Sequence, residues 1–430
     1  MNPQAEDLNQ IIRENNPAVY DLLSQKGKNV FFPTKGILGQ SADAKGTKIN
    51  ATIGIAKEDD GTPMRLDCIE KNINIDPSSV FPYAPSFGRP DIRKEWKKMI
   101  CKKNPGLKNK EISLPIVTNA LTHGVSMLGY MFVNEGDKII LPDLFWGNYN
   151  LILQNGYGAV LQKFNFFKDN HIDLDAIKSS LEKDGIGKKI LILNFPNNPS
   201  GYSPTIEESE KIAAILKESA QKGNKIIVIC DDAYFGLLYE DGISQESIFS
   251  YLADLDPNIL AIKVDGATKE DYVWGFRVGF ITYAVQGGNE KFYATLESKT
   301  AGAIRGNISN APNISQSLLM SAYENPDYDK QKQAKYKILK SRYMAVKEAL
   351  KEKKYSKYFK PLPFNSGYFM CIHLAEGIVG EELREILIKK YNIGVINMSG
   401  NIRLAFSAVP QKDIPALFEG IYQACKELKK

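Results

Sequence analysis

The sequence predicts an α/β protein built on a large, mostly parallel sheet flanked by helices. Three observations carry that reading. Between about residues 111 and 285, short apolar runs alternate with helical patterns. Several runs, including KKILILNF, KIIVIC and ILAIKVD, are apolar on both faces, as strands covered by helices on each side must be. Between two of them, TIEESEKIAAILKESAQKG opens with Thr205 and Glu208 in capping-box spacing, a helix start.

The elements follow in order. ISLPIVT precedes HGVSMLGYMFVNEG, and KIILP precedes the polar, aromatic segment WGNYNLILQNG. KKILILNF precedes the capping-box helix, and KIIVIC, ILAIKVD and VGFITYA complete the strands. Ligands of such sheets sit at the carboxyl ends of the strands, so the exits are informative. They carry Thr118 at a helix start, LFW with Trp146, PNNPSG, DDAY and GATK. The last hundred residues form a second unit: a long helix, GYFMCIHL, a helix at about 380–390, and RLAFSAV. Three parts are expected: an amino-terminal arm with part of a small domain (1–64), a large domain (65–325) and a carboxy-terminal small domain (326–430). No internal repeat or low-complexity segment interrupts them.

The chain has 430 residues, 43% hydrophobic and 24% charged, with a net charge of +5 from 55 basic and 50 acidic residues. That balance gives no case for a nucleic-acid partner. In the most basic stretch, at about 330–360, Leu339, Tyr343, Val346 and Leu350 recur at helical spacing, so its lysines read as the wet face of a helix. Five dispersed cysteines without a Cys-x-x-Cys, and three histidines, argue against a metal site. Cys230, inside KIIVIC, reads as a small buried hydrophobe. MNPQAEDLNQ lacks the apolar core of a signal peptide, and no apolar run is long enough for a bilayer. The expectation is a reduced, soluble, cytoplasmic protein with no membrane partner.

The stretch GATKEDYVWGFRVG (266–279) sets Lys269 just past ILAIKVD and Arg277 eight residues on. Alone, Lys269 reads as a loop lysine in water. However, NPSG (198–201), DDAY (231–234), TK (268–269) and Arg277 occur in that order, on strand exits. The set resembles the class I aminotransferases, pyridoxal-phosphate enzymes typified by aspartate aminotransferase, over about residues 50–410. The resemblance implies the pyridoxal-phosphate fold type I, with the large domain binding pyridoxal 5'-phosphate and a smaller α/β domain drawn from both termini. It also implies a homodimer with shared active sites.

Lys269 matches the family's Schiff-base lysine. That chemistry needs an amine neutral near pH 7. Lowering an ordinary pKa near ~10.4 by ~3 units takes roughly 4 kcal/mol of desolvation or charge repulsion, and a dry site with Arg277 in it offers both. By the same resemblance Asp231 pairs with the pyridine nitrogen, while Asp232 is expected to lie in water at the strand end. Tyr234 and Asn198 donate to the phenolic oxygen. Arg277 forks onto the phosphate, with Thr118 adding a hydroxyl at a helix N-terminus and Asn119 and Thr268 beside it. Trp146 stacks on the pyridine, and Tyr83 reaches the phosphate of the opposite subunit. Arg403 grips the substrate α-carboxylate, Arg305 crosses from the neighbouring subunit to a side-chain carboxylate, and Gly54 lies over the substrate. Taken singly, Trp146 and Tyr234 read as core rings, Asn198 as a turn residue and Arg305 as a surface arginine. Gly266 departs from the pattern, because many relatives carry a phosphate-binding serine there.

The function expected is transfer of an amino group between an amino acid and a 2-oxo acid, with aspartate or glutamate/2-oxoglutarate as the dicarboxylic partner. Two enzymatic alternatives stay open: an aromatic amino-acid aminotransferase, and a lyase or decarboxylase using the same apparatus. A regulator that kept the fold is opposed by the intact lysine, aspartate and arginine set, and by the lack of a spare helical domain before residue 50.

Overall fold

The computed structural model describes residues 1–31, 36–71, 73–398 and 400–429. Its centre is a seven-stranded sheet. In chain order the strands are β1 (Ile116–Asn119), β2 (Lys138–Pro142), β3 (Val160–Phe164), β4 (Lys188–Asn194), β5 (Lys225–Asp231), β6 (Ile259–Asp265) and β7 (Val278–Ala284). In space they run β1-β7-β6-β5-β4-β2-β3. β3, β2, β4, β5 and β6 are mutually parallel, and β7 lies antiparallel between β6 and β1. The amino end of β7, where Arg277 precedes it, therefore meets the carboxyl ends of the parallel strands.

Helices cover both faces, which is why β4 to β7 are buried almost throughout. Ile206–Gln221 starts with the expected capping box: Thr205 accepts from the Glu208 amide, and Glu208 accepts from the Thr205 amide at 2.8 Å. Below the sheet, Trp96 of the helix Pro90–Lys103 stacks on Phe280 at 4.3 Å and donates to Asp265 at 2.9 Å.

The second sheet is antiparallel: β8 (Phe359–Pro361), β9 (Met370–Leu374), β10 (Ile396–Met398) and β11 (Asn401–Leu404), in the order β8-β9-β11-β10. Residues 49–50 pair in parallel with Ile393–Gly394, and the Ala405 amide donates to the Ala51 carbonyl at 2.8 Å. Chain from both ends is thus joined beside Arg403. The long helix is shorter than its basic stretch, running over Tyr328–Ala349 before a separate turn at Lys353–Lys357. Leu339, Tyr343 and Val346 are buried in it, and Leu350 is its cap.

Among the described residues four helices precede residue 50: Pro3–Asn15, Pro17–Leu22, Gln25–Asn29 and Ile37–Asp43. The expectation of no helical domain before residue 50 is not met. They lie along the rest of the chain, with Asn155 donating to the Asn29 carbonyl and Gln40 exchanging hydrogen bonds with the Asn397 backbone. No helix among the described residues is long and apolar enough to cross a membrane.

A second expectation fails at Asp232. It is buried rather than in water, ion-paired with the fully buried Lys263 and accepting from Ser247 at 2.6 Å. Side chains alternate along an extended chain, so Asp231 and Asp232 face opposite sides of the sheet. Lys263, inside a run that reads as apolar, supplies the countercharge a buried carboxylate needs. Cys230, between strands, is fully buried as expected.

Candidate active site

A cavity of about 190 Å³ opens at the carboxyl edge of the large sheet, lined by Asp231, Tyr234, Lys269, Arg277, Asn198 and Trp146, and closed by neighbours that include Thr268, Asn194 and Ala120–Thr122. Each side chain arrives from a strand exit. Asp231 ends β5 and lies opposite Asn194, the last residue of β4. The Asn194 side chain donates to the Asp231 carbonyl and accepts from the Asn198 amide, both at 2.8 Å. It thereby ties the acid to the NPSG turn.

The Asp231 carboxylate accepts from the buried Tyr149 hydroxyl at 2.6 Å and from the Ala233 amide at 3.2 Å. Burial pushes its pKa up, against the Tyr149 hydrogen bond and the Lys269 charge, which pull it down. Lys269 sits in a single turn after β6, with Nζ 5.1 Å from the centre of the Tyr234 ring. Burial lowers its pKa from 10.5 to about 8; Arg277 adds to the effect, and Asp231 opposes it. Burial also raises the Tyr234 pKa, so its hydroxyl keeps its proton.

The other end of the cavity is suited to an anion. The helix Ala120–Phe132 starts there, and the first amides of a helix lack intrahelical partners and favour negative charge. Its first residue, Ala120, has φ +61, a left-handed conformation costing a non-glycine residue of order 1–2 kcal/mol. Arg277 contributes a half-buried guanidinium held by the Trp274 carbonyl at 3.1 Å. The buried Thr268 hydroxyl oxygen has no protein partner. Two glycines make the space. A Cβ on Gly266 would fall 2.6 Å from the Val278 carbonyl, and one on Gly279 would fall 2.7 Å from the Ala120 backbone. A serine at 266 has no room here.

Thr118 differs from expectation. It lies within β1, fully buried, and its hydroxyl donates to the Ala120 carbonyl at 2.9 Å, away from the cavity. The helix begins two residues later, and its Thr122 lines the cavity instead. The Asn119 amide donates to His123 at 3.1 Å, and Asn119 lines a neighbouring hollow that shares Thr122 and Arg277. Trp146 stands at the cavity wall, edge-on to Tyr149 with ring centres 5.5 Å apart.

Arg403, on β11, is buried above this floor. Its guanidinium donates to Asn198 Oδ1 at 3.2 Å and to the Thr52 carbonyl at 3.1 Å, and lies 4.4 Å from the Phe369 ring centre. Its Nε has no partner, and burial lowers its pKa. Because Asn198 Oδ1 faces Arg403, its amide nitrogen is left to donate elsewhere. Gly54 packs at Phe369, where an added Cβ would sit 3.5 Å from the ring. Two further expected residues lie on the surface, outside this chain's cavity. Tyr83 is 90% exposed, and Arg305 is exposed on the helix Glu290–Asn307, bonded to Ser309 at 2.8 Å.

The sequence reading did not single out Tyr149, Asn194 or Thr122. Tyr149 was within reach, three residues after Trp146 in WGNY. Asn194 and Thr122 depend on register and on the helix start, which local patterns do not give.

A lysine whose pKa burial lowers, a buried acid and a helix start suited to an anion meet at the carboxyl edge of the large sheet, with the buried Arg403 beside them. Residues 47–421 match the family model described as aminotransferase class I and II, and the chain belongs to that family. It is therefore a pyridoxal-phosphate-dependent transaminase acting on amino acids and 2-oxo acids. The chain is 27% identical over 362 residues to a probable aspartate/prephenate aminotransferase of Aquifex aeolicus, covering 81% of this chain and 83% of that one. It is 25% identical over 296 residues to an aspartate aminotransferase of Bacillus sp. YM-2, covering 68% and 69%. Among solved structures, an aminotransferase of Anaerococcus prevotii superposes with a TM-score of 0.82 at 25% identity, over 95% of this chain and 100% of that one. A Pyrococcus horikoshii kynurenine aminotransferase has the same fold, with a TM-score of 0.79 at 17% identity, over 96% and 98%.

Proposed function

We propose that this aminotransferase uses a dicarboxylic substrate, aspartate or glutamate/2-oxoglutarate, and works as a homodimer with shared sites. The observation that carries the reading is the convergence of Lys269, Asp231 and Arg403. Pyridoxal phosphate supplies an electrophilic aldehyde and an electron-withdrawing ring. Lys269 is the amine that would hold the aldehyde carbon, and its free form would carry a proton to and from the substrate Cα. A pKa of about 8 lets it be neutral for a useful fraction of the time at physiological pH. Asp231, locked by Tyr149 and Asn194, would keep the ring nitrogen protonated. Tyr234 and the amide nitrogen of Asn198 would donate to the phenolic oxygen, and Trp146 would cover the ring. Arg277, Thr268 and the helix amides at 120–122 would hold the phosphate, with Thr268 supplying the hydroxyl that Gly266 lacks.

Arg403 is preorganised for the α-carboxylate. Its Nε has no partner and its hydrogen bonds go to neutral oxygens, so a carboxylate there is its first countercharge. Tyr83 and Arg305 are read as reaching into the partner subunit's site, which accords with their exposure. Among the hydrogen bonds of the described residues the Arg305 side chain is restrained only by Ser309, which leaves room for aromatic substrates as a second reading. The chain is divided as 1–64, 65–325 and 326–430, and a cytoplasmic setting accords with its five free cysteines. Borohydride reduction of the holoenzyme followed by peptide mapping tests the core of the reading: the label belongs on Lys269, and Lys269→Ala abolishes turnover. A label on another lysine refutes it. A screen of single amino acids, followed by the change in cofactor absorption, identifies the donor.

A further inference from the structure

The turn carrying Lys269 is only four residues long, Ala267–Glu270, with no side-chain cap at Gly266. A single helical turn does not hold itself in place. What grips it decides where the amine points. Two residues after the lysine are gripped by charge. Glu270 takes Lys103 at 2.8 Å and Lys332 at 2.6 Å. Asp271 accepts from the hydroxyls of Tyr328 at 2.6 Å and Tyr323 at 2.9 Å. Lys269 itself is reached by one side chain among the hydrogen bonds of the described residues: the Tyr368 hydroxyl donates to its carbonyl at 2.9 Å.

Tyr368 is fully buried and comes from the segment leading into β9 of the smaller sheet. Its ring stands edge-on to Tyr234, with centres 5.3 Å apart. The next residue, Phe369, also contacts Tyr234, at 5.5 Å, and carries the Arg403 guanidinium on its ring. Two consecutive residues thus touch the backbone of the reacting lysine and the arginine read as gripping the substrate.

We propose that Tyr368 is a positioning residue for the transamination: by holding the Lys269 carbonyl it keeps Nζ in the dry space between Asp231, Arg277 and Tyr234, in fixed relation to Arg403. The proposal rests on Lys269 being the reacting amine.

Tyr368→Phe tests it, because the ring packing is kept and only the hydroxyl is lost. Tyr239→Phe is the control. Its buried hydroxyl also donates to a backbone carbonyl of this segment, that of Gly367 at 2.9 Å, without touching Lys269. Three quantities are measured for both: kcat and KM, thermal stability, and the pH dependence of Lys269 acylation by acetic anhydride in the cofactor-free protein, read by peptide mass spectrometry. For Tyr368→Phe, kcat falls about five- to tenfold with KM within about twofold, the scale of one lost hydrogen bond. The acylation midpoint moves up by about half a unit or more, because a looser amine is better solvated. Tyr239→Phe loses comparable thermal stability but keeps its kcat and its midpoint. Equal kinetic and titration changes in both variants, or no such change in Tyr368→Phe, would overturn the proposal. A borohydride label away from Lys269 would instead overturn the assignment of the lysine.

Discussion

Replacing Lys269 with methionine stabilises the cofactor-free protein at neutral pH, and the gain fades in alkali. Folding takes this amine from an ordinary pKa of 10.5 to about 8, mainly because burial penalises its charge. Below pH 8 both the folded and unfolded chains carry the proton, and the folded one bears the full penalty of holding it in a dry place. A shift of that size corresponds to about 3 kcal/mol. Between pH 8 and 10.5 the unfolded chain binds more protons than the folded one, so stability contributed by this site rises with pH. Above 10.5 the penalty has gone. Methionine has similar bulk and no charge, so its packing effect is the same at every pH. Urea unfolding of wild type and variant at pH 7, 8, 9 and 10 isolates the titrating part. The variant's advantage should shrink by about 2–3 kcal/mol across that range. An advantage that stays constant with pH would mean that Lys269 is not desolvated in the folded state, and the account of its reactivity would fall with it.

Three further outcomes are expected. Tyr149→Phe leaves a buried Asp231 oxygen without its donor; activity falls by about 1.5–3 kcal/mol in kcat/KM, and the acid limb of its pH profile moves up, because that bond holds the Asp231 pKa down. Gly266→Ser drives a Cβ to 2.6 Å from the Val278 carbonyl, and denaturant melts should register a loss of roughly 1–3 kcal/mol with weaker cofactor retention. Arg305→Ala lowers kcat/KM for dicarboxylic substrates by a factor of roughly 30 or more and spares neutral ones, whereas Arg403→Ala impairs every substrate; equal losses for acidic and neutral substrates in the Arg305 variant would remove it from that role.

The parts of this molecule legible in sequence are those fixed by local pattern. KKILILNF, KIIVIC and ILAIKVD read as two-faced strands because helices cover both sides of β4, β5 and β6. Their exits could then be located, and with them Asp231, Asn198, Lys269 and Arg277. What escaped depends on lateral register or on a shift of one or two residues. Thr118 was put at a helix start that falls at Ala120, and that small offset turns its hydroxyl from the cavity to a backbone carbonyl. Asp232 looked solvated because its partner Lys263 lies on the neighbouring strand, in a run of apolar letters. Asn194 acquires its place from its register opposite Asp231, which no local pattern specifies. Tyr83 and Arg305 were chosen by resemblance, and neither reaches the cavity of its own chain.

The lone antiparallel strand also sets a timetable. β1 occupies the sheet edge and pairs with β7 alone, Thr118 lying opposite Gly279. The start of the helix at Ala120 is packed against that same glycine. During synthesis, β2 to β6 can associate through their successive neighbours while β1, made before any of them, waits for the last strand of the sheet. Closing so long a loop is slow and entropically costly. The anion cradle is completed only once Gly279 has left the ribosome. A cofactor that binds against this cradle therefore adds its binding free energy only to chains in which β7 has joined β1.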